Sequence, residues 1–249
     1  MDRILYTAGG GAARMLEQQA VVSNNMANVN TTGFRQQLSA QRAVPFVAQQ
    51  GMPTRVATVA ATHGSNLSAG PMAETGNPLH VALQGPGWFA VQTPNGEAYT
   101  RAGEFSVNAD NQLVTRAQGY PVLSVDGEAI EIPDRGTVTF SSDGQLTALG
   151  AGDAPNTIQV MGQLKLVNPD PSLLQRDDDG FFRVLDQAQA QADPNMRIVS
   201  GFLEKSNVNP AQAMVALIEN ARQFDMQMKV VSDASSNAER ANSILSAGN

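Results

Sequence analysis

Apolar positions recur with 3,4 spacing at both ends of the chain. Near the start, Leu5, Ala8, Ala12, Met15, Gln19, Val22, Met26 and Val29 form one such series. Near the finish, Met214, Leu217, Ala221, Phe224, Met228, Val231, Ser235, Ala238, Asn242 and Leu245 form another. This is the a/d repeat of a coiled coil, held for about four heptads in the first stretch and nearly five in the second. Each stripe is narrow and needs a partner helix. The two ends therefore pair with each other or with neighbouring molecules, and the pattern marks them as an assembly device.

The spacing predicts a first helix over 3–30, about 28 residues and ~42 Å long at 1.5 Å per residue. Gly9, Gly10 and Gly11 inside it each cost about 1 kcal/mol against alanine in an isolated helix, so close packing must support it. Its other faces carry Gln18, Ser23, Asn24, Asn25 and Asn28 in place of the charges usual on a solvated helix. A two-helix hairpin with a polar face explains this pattern too. Asn30-Thr31-Thr32-Gly33 stops the helix, Gly33 being the C-terminal breaker, and Phe34 can fold back on the last turn. At the other end Asn209 is the expected N-cap and Pro210 the first helical residue of a helix running to about 246, weakened at Ser232–Asn237.

Between the helices the pattern changes. Residues 36–78 are low in charge and rich in Ala, Gln, Thr, Ser, Gly and Pro, with no lasting period; they read as an extended connector with one short strand at Arg55–Thr62. From Leu79 to Glu204 short alternating runs are separated by turn signals such as Pro94-Asn95-Gly96, Asp126-Gly127, Asp143-Gly144 and Asp179-Gly180. Phe105-Ser106-Val107 followed by Gln112-Leu113-Val114-Thr115 echoes Phe140-Ser141-Ser142 followed by Gln145-Leu146-Thr147. Many short strands at this spacing predict a sandwich or barrel-like domain. The predicted class is α+β, with discontinuous terminal coiled-coil-type helices flanking a mainly antiparallel β domain. Its divisions are an assembly helix over 1–35, a connector over 36–78, the β domain over 79–205 and a second assembly helix over 206–249.

Charge sharpens this division. The net charge of −7 and pI near 4.8 argue against nucleic-acid or anionic-membrane binding. Residues 1–78 hold five Lys/Arg against three Asp/Glu, residues 79–205 eight against sixteen, and residues 206–249 three against four. The acidity belongs to the β region, where it would keep an outward-facing domain soluble.

Candidate chemistry is sparse. The chain has no cysteine and two histidines, His63 and His80, neither in metal-ligand spacing. A Ser–His–Asp set lacks any nucleophile elbow, which disfavours a hydrolase acting on the cell wall. Asp177-Asp178-Asp179-Gly180 lacks the later bidentate Glu of a calcium loop and reads as a solvated hairpin turn. Gly9-Gly10-Gly11 lacks the Lys-Ser/Thr of a phosphate loop. Methionines on the C-terminal series are explained by packing. No catalytic, cofactor-binding or metal site is expected, and no small-molecule substrate. No stretch approaches the ~20 apolar residues of a membrane span, and the opening residues do not read as a secretory signal. A soluble adaptor binding one partner helix is the alternative to a self-assembling subunit.

Three stretches resemble the axial proteins of the bacterial flagellum, the rod and hook family. They are Ser23-Asn24-Asn25-Met26-Ala27-Asn28-Val29-Asn30-Thr31-Thr32-Gly33-Phe34-Arg35; Leu79 to Phe89 with Ala98 to Phe105; and Ser206-Asn207-Val208-Asn209 with the helix after it. In the second, His80 and Pro86 stand where the family commonly has Asp, and Trp88 where it commonly has Phe. The opening Met1 to Ala8, the Gly162 to Val167 strand and Ala221 to Lys229 look most like proximal rod members; distal rod members usually carry a longer segment after the first helix, and the hook protein is usually much larger. The resemblance implies a structural subunit of the basal-body rod, lying in the periplasm and exported by the flagellar type III apparatus without a cleaved signal. Its partners would be itself and other rod subunits, joined through the terminal series, and the motif residues Asn24, Asn25, Asn28, Gly33, Phe34, Ser206, Asn207 and Val208 would belong to that machinery. Distal rod or hook-type axial subunits are the nearest alternatives.

Overall fold

Helical propensity and the 3,4 pattern hold together over Asp2–Ala27, which forms α1, and over Pro210–Ala247, which forms α2. The computed structural model describes residues 2–39, 41–45, 56–60, 64–133, 137–149, 158–185 and 189–247. α1 ends three residues earlier than the pattern predicts, and Asn28 to Asn30 turn instead. α2 is continuous through Ser232–Asn237, where weakening was expected. Asn209 caps it as read: its side-chain oxygen accepts from the Ala211 and Gln212 amides at 3.0 and 3.2 Å.

Two compact units emerge. The first holds residues 1–27, 37–65 and 208–249; the second holds 28–36 and 66–207. In the first unit α1 packs against α2 and touches the Val56–Ala60 strand. That strand pairs antiparallel with Gln41–Pro45, Arg42 opposite Val59 and Val44 opposite Ala57. The connector thus contains a paired ribbon as well as the single strand expected at Arg55–Thr62. His63 lies outside the described residues.

In the second unit the Trp88–Thr93 strand is central, and it is buried on both faces. Phe89 and Val91 point into one apolar cluster with Val81, Phe105, Leu113 and Leu146. Trp88 and Ala90 point into another with Tyr99, Val167 and Phe182. Ring contacts fix both layers: Phe89 meets Phe105 edge-on at 5.3 Å, and Trp88 lies 4.5 Å from Phe182. Full burial of each such side chain is worth about 1.5–3 kcal/mol. The strand pairs with Gly96–Thr100 through the predicted Pro94-Asn95 turn, Gly96 taking φ +104°. Leu166–Val167 flanks its other edge, and Phe182–Val184 and Leu174–Arg176 extend the sheet to five strands.

The two echoing segments are both hairpins, Val107 opposite Leu113 and Phe140 opposite Leu146. Pairing is antiparallel throughout the described strands, in several small sheets rather than one closed wall. Of the expected sandwich or barrel-like domain, the barrel alternative is therefore corrected: the described strands close no barrel. The five-stranded sheet keeps Leu174–Arg176 as a free end, and bridges such as Ser124 to Leu164 stitch the small sheets together.

Candidate assembly interface and its buried junction

The contact between the helices uses small residues. On α1, Ala8 and Ala12 are buried and Met15, Gln19, Val22 and Met26 half-buried, with Val21 and Asn25 buried beside them. On α2 the inward series is Ala213, Leu217, Asn220, Phe224, Gln227, Val231, Ala234 and Ala238, a strict 4,3 alternation. Leu217, Phe224, Val231 and Ala238 match the predicted series. Its other members do not face α1: Met214, Ala221, Met228 and Ser235 are exposed, and the residue before each takes the inward place. Side-chain size explains the shift. α1 offers Ala8, Gly11 and Ala12, and the Gln227 amide already lies 3.4 Å from where a Gly11 Cβ would be. Beside Gly11 the helices approach so closely that a flat amide fits where a methionine would not. The side-chain nitrogen of Asn220, buried here, has no hydrogen-bond partner among the described residues. The side chains of Leu5, Asn242 and Leu245 lie outside the described residues.

Several motif residues at and after the end of α1 have structural tasks. Asn25, 3% exposed, donates to the Gln37 carbonyl at 2.9 Å and accepts from the Gln37 amide at 2.8 Å, copying a strand partner with one side chain. Asn28 accepts from the Thr31 amide through its carbonyl and from the Thr31 hydroxyl through its side chain, closing the turn. Asn24 is exposed. Val29 is half-buried. Gly33 takes φ +68°, and a Cβ there would stand 2.3 Å from the Ala102 nitrogen and the Arg101 carbonyl carbon. Only glycine fits. Phe34 is buried under the Arg176 guanidinium, 4.5 Å from its ring centre.

Arg35 leads into a buried ionic junction. Its side chain is fully buried and donates to Glu204 at 2.6 Å. Arg101, 4% exposed, donates to the second carboxylate oxygen at 3.1 Å and to the Gly85 carbonyl at 2.7 Å. The Gly70 amide donates to Glu204 at 2.8 Å, and the Gly33 amide donates to the Glu204 carbonyl at 2.8 Å. Both guanidiniums lie over the Trp88 ring, at 5.8 and 5.7 Å. Two cations thus share one carboxylate. Burial pushes Arg101 down to about 10, opposed by Glu204 and reinforced by Arg35. The indole face takes part of the excess charge that the carboxylate cannot.

Asn207 closes the junction from the C-terminal side. It accepts from the Gln36 amide at 2.7 Å and donates to the Asn66 and Ser68 carbonyls at 2.8 and 2.9 Å. Ser206 and Val208 flank it, both buried. Arg101, Glu204, Gly70 and Arg176 were missed as site residues. The available signal was Glu204 standing alone between Phe202-Leu203 and Lys205, a charge inside an apolar strand.

Elsewhere the acidic run behaves as a turn. Asp177 and Asp179 both pair with Arg183 across the Asp178–Gly180 bend. Among the described residues no three His, Cys, Asp or Glu side chains converge as a metal site, and no helix is long and apolar enough to cross a membrane.

Comparison with known proteins places these elements in one family. Residues 5–35 match the model described as flagella basal body rod protein, residues 82–148 the flagellar hook protein FlgE/F/G D1 domain, and residues 199–244 the flagellar basal body rod FlgEFG protein C-terminal model. The flagellar basal-body rod protein FlgF of Escherichia coli K12 is 47% identical over 253 residues, covering 99% of each chain. The chain belongs to the FlgF family of flagellar basal-body rod proteins. FlgF of Salmonella typhimurium is 46% identical over the same coverage, and FlgG of Agrobacterium fabrum is 32% identical over 93% of this chain and 95% of its own. The family is structural, and its first and last models fall on the two helices with the junction segments 28–35 and 199–207.

Proposed function

We propose that this subunit of the flagellar basal-body rod, a structural protein by its family, builds the proximal rod by polymerising through its terminal helices and passes torque from motor to hook. The observation that carries the reading is the exposed apolar flank of α2. Met214, Val215, Ile218, Met226 and Met228 are 44–60% exposed on a helix whose inward face is already occupied. Residues of this kind bury about 1.5–3 kcal/mol each only when a further surface covers them. The junction supports the same reading, since a load-bearing subunit needs the segments that lead to its helices fixed, and Gly33, Arg35, Glu204 and Asn207 fix them. The divisions at 1–35, 36–78, 79–205 and 206–249 are read accordingly, with the terminal pieces as assembly elements and the acidic β region facing outward. Rod subunits and hook components are the partners, the periplasm is the setting, and the flagellar type III apparatus is the export route.

Mass spectrometry of purified basal bodies tests this. The intact chain should be present, and a chain ending at Asn209 should be absent although its β unit is made. Intact chain found only in the soluble fraction, with motility unaffected by its deletion, would sink the rod reading and favour the adaptor.

A further inference from the structure

Sulfur in this chain is all thioether: ten methionines and no cysteine. The methionines differ in access. Among the described residues Met196 is buried against Gly87, Met15, Met26 and Met161 are half-buried, and Met72, Met214, Met226 and Met228 are exposed. Three of these four stand on α2, and none takes an inward place there, since Leu217, Phe224, Gln227 and Val231 hold those. Met214 and Met228 are two heptads apart and Met226 lies about three turns beyond Val215, so all three join the exposed flank of Val215 and Ile218. Trp88, the single tryptophan, is buried and shielded from solution reagents.

We propose that Met214, Met226 and Met228 form a modification site of the unassembled subunit, where hypochlorous acid or hydrogen peroxide makes sulfoxides that bar the chain from the rod. The proposal rests on the assembly reading above and adds a chemical control to it. The Sδ lone pair attacks the electrophilic oxygen of the oxidant, and sulfur gives up two electrons. With hypochlorous acid an S–O bond forms, the O–Cl bond breaks, and chloride and a proton leave. With hydrogen peroxide the O–O bond breaks and water leaves. Each step turns a flexible apolar side chain into a polar one. On the outer flank this spares the chain's own fold, because the inward places keep their residues. It becomes unfavourable when another surface covers the flank, since the sulfoxide oxygen then leaves water with no donor to meet it. Coverage also shields the sulfurs, so a finished rod resists the reagent that stops its precursor. Oxidation halts growth without dismantling what is built.

The purified full-length chain and purified basal bodies are titrated with hypochlorous acid, and sulfoxides are located by peptide mass mapping. In the free chain the three α2 methionines should oxidise with Met72, at a dose roughly tenfold below that for Met196, and the circular dichroism at 222 nm should hold. In basal bodies they should need roughly tenfold more oxidant than in the free chain. Oxidation no earlier than Met196, or loss of the helical signal as they oxidise, overturns the selectivity. An unchanged dose in basal bodies overturns the shielding and leaves the assembly reading standing. A chain with Met214→Gln, Met226→Gln and Met228→Gln stands in for the oxidised form, and one with Met214→Leu, Met226→Leu and Met228→Leu cannot be oxidised there. The first should fall roughly tenfold or more in basal-body content and the second should match wild type. Equal content of the two, or exclusion of both, overturns the block. If the glutamine chain loses its helical signal, Met226→Gln against Met226→Leu is judged by the same criteria. Wild-type chain missing from basal bodies defeats the assembly reading itself.

Discussion

Replacing Glu204 by Gln changes almost no volume and removes one negative charge from the junction. The glutamine can keep one oxygen toward Arg35 and the Gly70 amide, which donate to Glu204 at 2.6 and 2.8 Å. Its NH2 then faces Arg101, itself a donor at 3.1 Å in the native junction. Two buried guanidiniums are left with no counter-charge. Breaking a buried ion pair from one side costs about 3–5 kcal/mol, which for a unit of this size corresponds to a fall in Tm of roughly 10–15 °C. Trp88 is the single tryptophan and lies under both guanidiniums, so its fluorescence during urea or thermal unfolding reads the junction itself. Arg101→Met should cost less than Glu204→Gln, because it leaves one cation against one carboxylate. A loss below ~1 kcal/mol for Glu204→Gln, the range of an exposed pair, or a larger loss for Arg101→Met, would refute the charge count argued here.

Other outcomes follow from single positions. Gly33→Ala places a Cβ against the Arg101-Ala102 backbone at positive φ and should cost at least ~2 kcal/mol, measured by the same Trp88 unfolding curve. Asn220→Leu removes a buried amide whose nitrogen has no partner among the described residues and should raise the thermal midpoint followed by far-UV circular dichroism at 222 nm, worth about 1 kcal/mol. Tyr99, pushed up to about 12 chiefly by burial, should ionise well above the ordinary tyrosine range in an absorbance titration at 295 nm. Its contribution to stability is complete below the ordinary tyrosine pKa near 10 and is lost as pH rises through about 12; Tyr99→Phe should remove that part of the alkaline fall.

The helices were legible because a 3,4 period survives whatever the helix packs on. Which column turns inward was only half legible. Leu217, Phe224 and Val231 were placed by hydrophobicity, but Met214 and Met228 outrank Ala213 and Gln227 on any such scale. The close approach allowed by Gly11 reverses that order at Gln227. Hairpins at Pro94-Asn95, Asp143-Gly144 and Asp179-Gly180 were legible from turn chemistry, which is local. Of the ribbon, the Val56–Ala60 strand was legible and its Gln41–Pro45 partner was not, since that stretch ends on Pro45 and shows no lasting alternation. The junction was the least legible part. Arg35, Arg101 and Glu204 carry no periodic signal, and the choice among acidic residues depends on a fold that brings distant segments together.

The Arg35–Glu204 pair spans 169 residues of chain. Closing a loop of that length costs about 4.5 kcal/mol of chain entropy by the (3/2)RT ln n estimate, before any local contact offsets it. Arg35 has no carboxylate to meet until the stretch around 204 exists and has reached it, and contacts of such long range form late and slowly. A chain still being synthesised, or held extended with its last fifth restrained, therefore keeps this junction open. Completion of the fold is timed by the arrival of one carboxylate near the far end.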